Sequence, residues 1–253
     1  MSSRFTRRAL LTGLGLAAPA LILGGKKLYP GWKPQETLLN SGEWLSTKAH
    51  NLIGRNALAR EYSVADISPN FRTNGSTKPK TAQWKKDAKT GFESWRLKFD
   101  GKVKSPQEFS LADLKSYPAR TQITRHDCVE GWSAVGQWTG VPLASLLDTV
   151  VLADDARYLV FWCADKFGDW QYYESIDLVD AFHPQTILAY GMNGVPLPEG
   201  HGAPIRLRVE RQLGYKQAKF VMRIEAVSTF ATIGDGFGGL WEDIAGYEWY
   251  AGI

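Results

Sequence analysis

The chain has 253 residues, 44% hydrophobic and 22% charged, with 30 basic and 26 acidic side chains and a net charge of +4. Those totals fit a globular protein with a sizeable core and exclude a disordered or collagen-like chain. The small basic excess is split between an N-terminal arm and Lys78, Lys80, Lys85, Lys86 and Lys89, so it makes no case for a nucleic-acid partner. Two cysteines make no disulfide framework, and four scattered histidines show no zinc spacing.

At the N-terminus, Arg7-Arg8 precedes an uncharged stretch from Ala9 to Gly25 that carries seven leucines and isoleucines. The stretch falls short of the roughly 20 apolar residues that a spanning helix prefers. It has the order of an export signal, a positive region followed by an apolar one. The segment Ser3–Leu11 resembles a twin-arginine signal, which sends folded proteins through the twin-arginine export machinery. Ala18-Pro19-Ala20 has the look of a cleavage site, with an uncleaved membrane anchor as the alternative. Residues 1–25 are therefore expected to be a signal or anchor, 26–65 an N-terminal extension and 66–253 the main domain, in the periplasm.

Pro30, Gly31 and Pro34 break the chain before a helix expected over Glu43–Tyr62. Trp95, Leu97 and Phe99 alternate with Arg96 and Lys98, and Asp100-Gly101 turns the chain so that Val103 resumes as a hairpin. Ser110 with Asp113 forms a capping box for a helix Leu111–Tyr117, stopped by Pro118. Thr121–Arg125 reads as a strand, Cys128–Gly140 as the loop at its end, and Pro142 as the opening of a helix through Leu146 and Leu147. Tyr158–Cys163, Pro204–Val209 and Phe220–Val227 read as strands before a glycine-rich aromatic tail from Gly234. Hairpins mixed with short helices indicate an α+β domain.

Chemistry concentrates at Arg125-His126-Asp127-Cys128-Val129-Glu130-Gly131-Trp132. A thiolate is a soft, nucleophilic ligand favoured by nearby positive charge. The alternatives for Cys128 are a buried small side chain and a cysteine nucleophile activated by His126 and oriented by Asp127. Further on, His201-Gly202-Ala203-Pro204-Ile205-Arg206 and Gly214-Tyr215-Lys216-Gln217-Ala218-Lys219 combine glycines, a bidentate guanidinium and point charges that suit a phosphate-bearing group. Asn70, Arg72, Thr73 and Asn74 could turn the chain or read the polar edge of a heterocycle. The ten tryptophans suit either a core or the wall of a ligand pocket. Cys163, between Trp162 and Ala164, reads first as a core residue.

The cysteine motif, then Trp138-Thr139-Gly140-Val141-Pro142-Leu143, then His201–Arg206, in that order, resemble the sulfite-oxidase superfamily of molybdopterin enzymes. The nearest resemblance is to its single-domain bacterial branch, which includes periplasmic protein-methionine-sulfoxide reductases. It covers roughly residues 60–230 and implies a sulfite-oxidase-type fold of mixed sheets and short helices, with one molybdenum-molybdopterin per chain. It implies Cys128 as the thiolate on the metal, and His201 and Arg206 at the phosphate end of the pterin. Gln217, Ala218 and Lys219 match a cofactor-contacting segment. Asn70, Arg72, Thr73 and Asn74 match the upstream one, with Asn-Phe-Arg-Thr where the branch has an Asn-Phe-Tyr-Glu-like pattern. Cys163 falls where the branch has a cofactor-contacting threonine. Glu130 matches an acidic residue near the metal and would tune a proton there; its alternative is an ion pair with Arg125 or Lys216.

The implied activity is oxygen-atom transfer at sulfur, with sulfoxide-type reduction ahead of sulfite oxidation. Arg72 and Arg125 could supply the cationic pocket that sulfite would need. A cofactor-binding protein without turnover is the rival from another class. The chain carries no haem-binding Cys-x-x-Cys-His, so electrons would pass to or from a separate redox partner, such as a membrane haem protein.

Overall fold

The computed structural model describes residues 41–42, 44–49, 52 and 57–253. The signal expected over residues 1–25 lies outside them. The chain divides into two compact units, Met1–Ala49 and His50–Ile253. In the first, residues 41–42 and 44–49 are helical. Among the described residues no helix is long and apolar enough to cross a membrane.

The second unit contains ten strands: β1 (Arg96–Gly101), β2 (Gln107–Ser110), β3 (Arg120–Asp127), β4 (Ser133–Pro142), β5 (Tyr158–Phe167), β6 (Trp170–Asp177), β7 (Ile187–Met192), β8 (Val195–Pro196), β9 (Arg206–Arg208) and β10 (Val221–Val227). Among residues 57–253 five α-helices accompany them: α1 (Ala82–Lys89), α2 (Leu111–Ser116), α3 (Leu143–Val150), α4 (Leu178–Ala181) and α5 (Leu240–Ala245). One sheet has the order β2-β1-β10-β5-β6 and the other β3-β4-β7-β8, with β9 paired to β7. The β1–β10 pair is parallel and the remaining ladders are antiparallel, so this is an α+β fold with a mixed sheet.

Local sequence explains the elements. Leu97 and Phe99 of β1 point inward and Arg96 and Lys98 outward, the two-residue period of a half-buried strand. Ser110 Oγ accepts from the Asp113 amide at 3.0 Å while Asp113 accepts from the Ser110 amide at 2.8 Å, closing the expected capping box of α2. Leu143, Leu146, Leu147 and Val150 give α3 an apolar face. That face joins Trp95, Leu97 and Phe99 of β1, Phe161 of β5, Leu188 of β7, Leu207 of β9 and Ile224 of β10 in one core fed by both sheets. Burying side chains of this size contributes about 1.5–3 kcal/mol each.

Three expectations are corrected. The helix over Glu43–Tyr62 does not run to its end: residues 57–60 are not helical, and Glu61 bridges Thr124 on the edge of β3. Ala59 donates to Gln185 Oε1 at 2.7 Å, so tertiary hydrogen bonds outcompete local helix propensity there. The return strand of the first hairpin is β2, with Leu97 opposite Phe109, while Val103 bridges Leu152. Gly101 continues β1 against Ala226 of β10, so Asp100-Gly101 does not turn the chain back on itself.

The loop expected over Cys128–Gly140 is short. Ser133–Pro142 is β4, paired with β3 from Asp127↔Ser133 to Arg120↔Gly140. Its glycines serve close packing rather than turning. A Cβ on Gly136 would lie 3.1 Å from the Phe71 ring, and one on Gly140 would lie 2.6 Å from Ala189 Cα. Gly140→Ala therefore forces the backbones of β4 and β7 apart. A loss on the order of 3 kcal/mol is expected, seen as a lower denaturation midpoint, whereas Gly191→Ala in the same sheet, where the nearest atoms to a Cβ would lie 3.4 Å away, serves as the comparison for a strand glycine outside close packing.

Candidate active site

The strand β3 delivers Cys128 to a tight turn. The Cys128 amide donates to the Trp132 carbonyl at 2.9 Å and the Gly131 amide to the Cys128 carbonyl at 3.0 Å, with Gly131 at φ 84° where a side chain would be strained. The turn presents the Cys128 sulfur, 7% exposed, to a cavity of about 570 Å³. Asn74 Nδ2 approaches the sulfur at 3.5 Å, and burial pushes the thiol above its ordinary value.

The cavity brings together six of the residues singled out in the sequence: Asn74, Cys128, Glu130, Arg206, Gln217 and Lys219. Asn70, Arg72, Thr73, Cys163, His201 and Ala218 do not line it. Arg72 instead lies over the Trp132 ring at 5.4 Å, Thr73 packs on Gly200, and Asn70 is exposed. His201 sets its ring edge-on to Phe71 at 5.6 Å. Cys163 and Ala218 belong to the main core. Glu130 accepts from Trp132 Nε1 at 3.0 Å, while Arg125 pairs with Asp127 and Lys216 with Glu174 and Glu242. The alternative ion pairs for Glu130 are therefore not formed. Nor is a His126–Asp127 relay: Asp127 is bound to Arg125 and Ser133, and Arg208 meets His126 Nδ1 at 3.1 Å.

The charge in the cavity is unbalanced. Arg206 is buried, donates only to the carbonyls of His201 and Gln217 (both 3.2 Å), and its Nε finds no partner among the described residues. Burial, with Arg208 beside it, pushes Arg206 down to about 9. Lys219 donates to the carbonyls of Asn74 (2.7 Å), Gly200 (3.2 Å) and Ser76, and burial next to Arg206 pushes it down to about 8. The same two influences take His201 down to about 4. Phe220, which follows Lys219, is held at φ 55°, a costly conformation for an aromatic residue. Its ring packs on Trp84 at 5.7 Å.

Sequence reasoning missed several residues of the cavity wall. Asp165 is one: it is buried, its Oδ1 has no partner among the described residues, and burial raises its pKa. Phe167, Trp241 and Tyr247 are the others of note, and Tyr215, quoted only within the Gly214–Lys219 run, joins them. The count of tryptophans pointed to a walled pocket, but nothing in the sequence identified which rings form it.

These groups fit a molybdopterin. Unmatched cationic donors suit its phosphate, Asp165 offers an acceptor to ring N–H groups, and Cys128 offers one thiolate. Among the described residues no three His, Cys, Asp or Glu side chains gather to hold a metal ion. A metal at Cys128 would therefore take its remaining donors from the cofactor.

Residues 82–232, more than half of the chain, match the family model of the oxidoreductase molybdopterin binding domain. The chain belongs to that family, within the sulfite-oxidase group. It is 41% identical to the putative protein-methionine-sulfoxide reductase subunit YedZ1 of Azospira oryzae, over 63% of this chain and 56% of that one. It is 33% identical to the protein-methionine-sulfoxide reductase catalytic subunit MsrP of Ralstonia nicotianae, over 84% of this chain and 67% of that one. The MsrP of Pseudomonas syringae pv. tomato is 31% identical over 88% and 66%. The chain thus spans 56% to 67% of the length of these relatives. Among solved structures, the sulfane dehydrogenase SoxCD of Paracoccus pantotrophus shares the fold, with a TM-score of 0.50 at 24% identity over 54% of this chain and 39% of that one.

The depressed lysine sets a pH dependence for the cofactor-free protein. Below about pH 8 Lys219 is charged in the folded and unfolded chain alike, and its burial penalty is fully present. Between about 8 and the ordinary 10.5 the unfolded chain holds a proton that the folded chain has released, so stability rises with pH. Urea denaturation at about pH 7.5 and about pH 9.5 is expected to show a rise that Lys219→Met flattens. Equal slopes in the two proteins would remove the unmatched charge.

Proposed function

We propose that the chain is an exported mononuclear molybdenum oxidoreductase that transfers an oxygen atom at sulfur, in the direction of sulfoxide reduction, with Cys128 as the thiolate ligand of the metal. The observation that carries this reading is one buried sulfur sharing a cavity with two buried cations, Arg206 and Lys219, whose hydrogen bonds go to backbone carbonyls rather than to carboxylates. When bound, the cofactor would supply the two-electron redox chemistry. The net reaction consumes two electrons and two protons, converting a sulfoxide to a sulfide and water.

The residues of the chain have separate tasks. Arg206 and Lys219 hold the phosphate end, and Asn74 directs its amide at the sulfur and orients it. Glu130 lines the cavity two residues past Cys128, fixed by Trp132, and can deliver a proton to the oxygen that leaves. A carboxylate at that place disfavours a dianion such as sulfite and is indifferent to a neutral sulfoxide. The names of the reductase relatives support the same direction. The electrons would come from a separate redox partner, in keeping with relatives named as subunits, and a membrane haem protein suits a periplasmic enzyme. Arg7-Arg8 would direct export of the folded protein.

Metal analysis of the native protein is expected to give about one molybdenum per chain, with Arg206→Met lowering pterin content. Cys128→Ala is expected to retain pterin and lose turnover of sulfoxides from an artificial electron donor; an active Cys128→Ala enzyme would sink the ligand role. For export, Arg7→Lys with Arg8→Lys is expected to leave folded protein in the cytoplasm, checked by cell fractionation.

A further inference from the structure

One wall of the cavity is aromatic, and the chemistry above makes no use of it. Phe167, Trp241, Tyr247 and Tyr215 all line the cavity. Their ring centroids follow one another at 5.1 Å from Phe167 to Trp241, 6.1 Å from Trp241 to Tyr247 and 5.0 Å from Tyr247 to Tyr215. Three distant parts of the chain supply them: the tip of the β5–β6 hairpin, the α5 region, and the short turn before Gln217. The wall is held in place. Glu242, next to Trp241, is ion-paired to buried Lys216 at 2.7 Å, and the Tyr215 hydroxyl donates to the Glu248 carbonyl at 2.6 Å. Phe167 is 54% exposed at the rim of the cavity, a large apolar ring left facing water.

We propose that this wall determines specificity: it grips the apolar flank of an organic sulfoxide, so that the site prefers aryl or bulky alkyl sulfoxides to dimethyl sulfoxide. The inference rests on the sulfoxide reading above. An organic sulfoxide has one polar S–O group and two apolar substituents. The S–O end suits the polar turn that carries Cys128 and Glu130, and the substituents suit rings that bury apolar area and meet sulfur at their edges. Dimethyl sulfoxide and sulfite have no flank long enough to use the wall. The four rings are already in contact with one another, so little ordering cost attends binding.

Equilibrium titration of the molybdenum-loaded full-length enzyme with methyl p-tolyl sulfoxide and with dimethyl sulfoxide tests the wall without turnover. The aryl compound is expected to bind about tenfold tighter or better. Phe167→Ala, a change at an exposed hairpin tip that should leave folding intact, is expected to lower the ratio of the two affinities about fivefold. Trp170→Ala, exposed on the same hairpin but off the cavity wall, is expected to keep the wild-type ratio. An unchanged ratio in Phe167→Ala, or an equal fall in Trp170→Ala, would overturn the proposal. Donor-coupled turnover of the same two compounds tests the reaction separately. Preferential binding without turnover supports the wall and sinks sulfoxide reduction, while turnover without the preference does the reverse.

Discussion

Lys216 is buried with no exposure between Glu174 of β6 and Glu242 of α5, at 2.5 and 2.7 Å. Removing three charges from water costs several kcal/mol per ion, so the group depends on the close contacts of the lysine with both carboxylates. Burial works against the lysine charge, yet the two carboxylates outweigh it and raise its pKa. Burial and the nearby Glu242 push Glu174 well up, and Lys216 holds both carboxylates. Gly239 makes the approach possible, since a Cβ there would lie 2.6 Å from Glu174 Oε1. The triad fastens a sheet edge, a C-terminal helix and the turn before Gln217 in one act. Gln217 follows Lys216 and Trp241 precedes Glu242, so two walls of the cavity inherit their positions from this ion cluster.

A second buried ion pair stands in contrast to Arg206. Arg206 and Arg208 lie on the same face of β9, and both guanidiniums sit over the Trp138 ring, at 5.0 and 4.3 Å. Arg208 is matched by Glu210 at 2.6 Å and meets His126 Nδ1 at 3.1 Å. A guanidinium only donates, so Nδ1 accepts and the imidazole proton resides on Nε2. Burial, then Arg208 and Arg206, hold His126 well below its ordinary value, and the ring stays neutral beneath the Cys128 turn. Arg206, two residues away, has carbonyls where Arg208 has a carboxylate. One arginine is paired within the structure, and the other is the cation to which the proposed function assigns the phosphate.

The part of this arrangement legible in the sequence was local. The Cys128 motif, the Ser110–Asp113 cap and the strand before Cys128 rest on neighbours within a few residues, where periodicity and capping rules operate. β4 was not legible because Gly136 and Gly140 read as turn formers, whereas their role is to admit Phe71 and the backbone of β7 from elsewhere in the chain. Lys216 and Lys219 read alike as point charges for a phosphate. Only the fold separates them, burying one between carboxylates and leaving the other against carbonyls. Asp165 and the rings of Phe167, Trp241, Tyr247 and Tyr215 share a cavity although they lie up to 82 residues apart in the chain, which no pattern within a window can report.

The unmatched cations also tie cofactor loading to stability. Arg206 and Lys219 carry a desolvation penalty that nearby Glu210 and Asp165 offset only in part, since both cations end below their ordinary values. An anionic guest that binds only the folded state removes that penalty and adds its own binding energy to stability. The empty protein is thus the less stable form, and its aromatic wall is already assembled by the Lys216 cluster before any guest arrives. A chain built this way gains from being filled where the cofactor is made and moved afterwards as a finished body. The proposed twin-arginine route carries folded cargo and meets that physical requirement, whereas threading the chain unfolded would dismantle both ion clusters and release the guest.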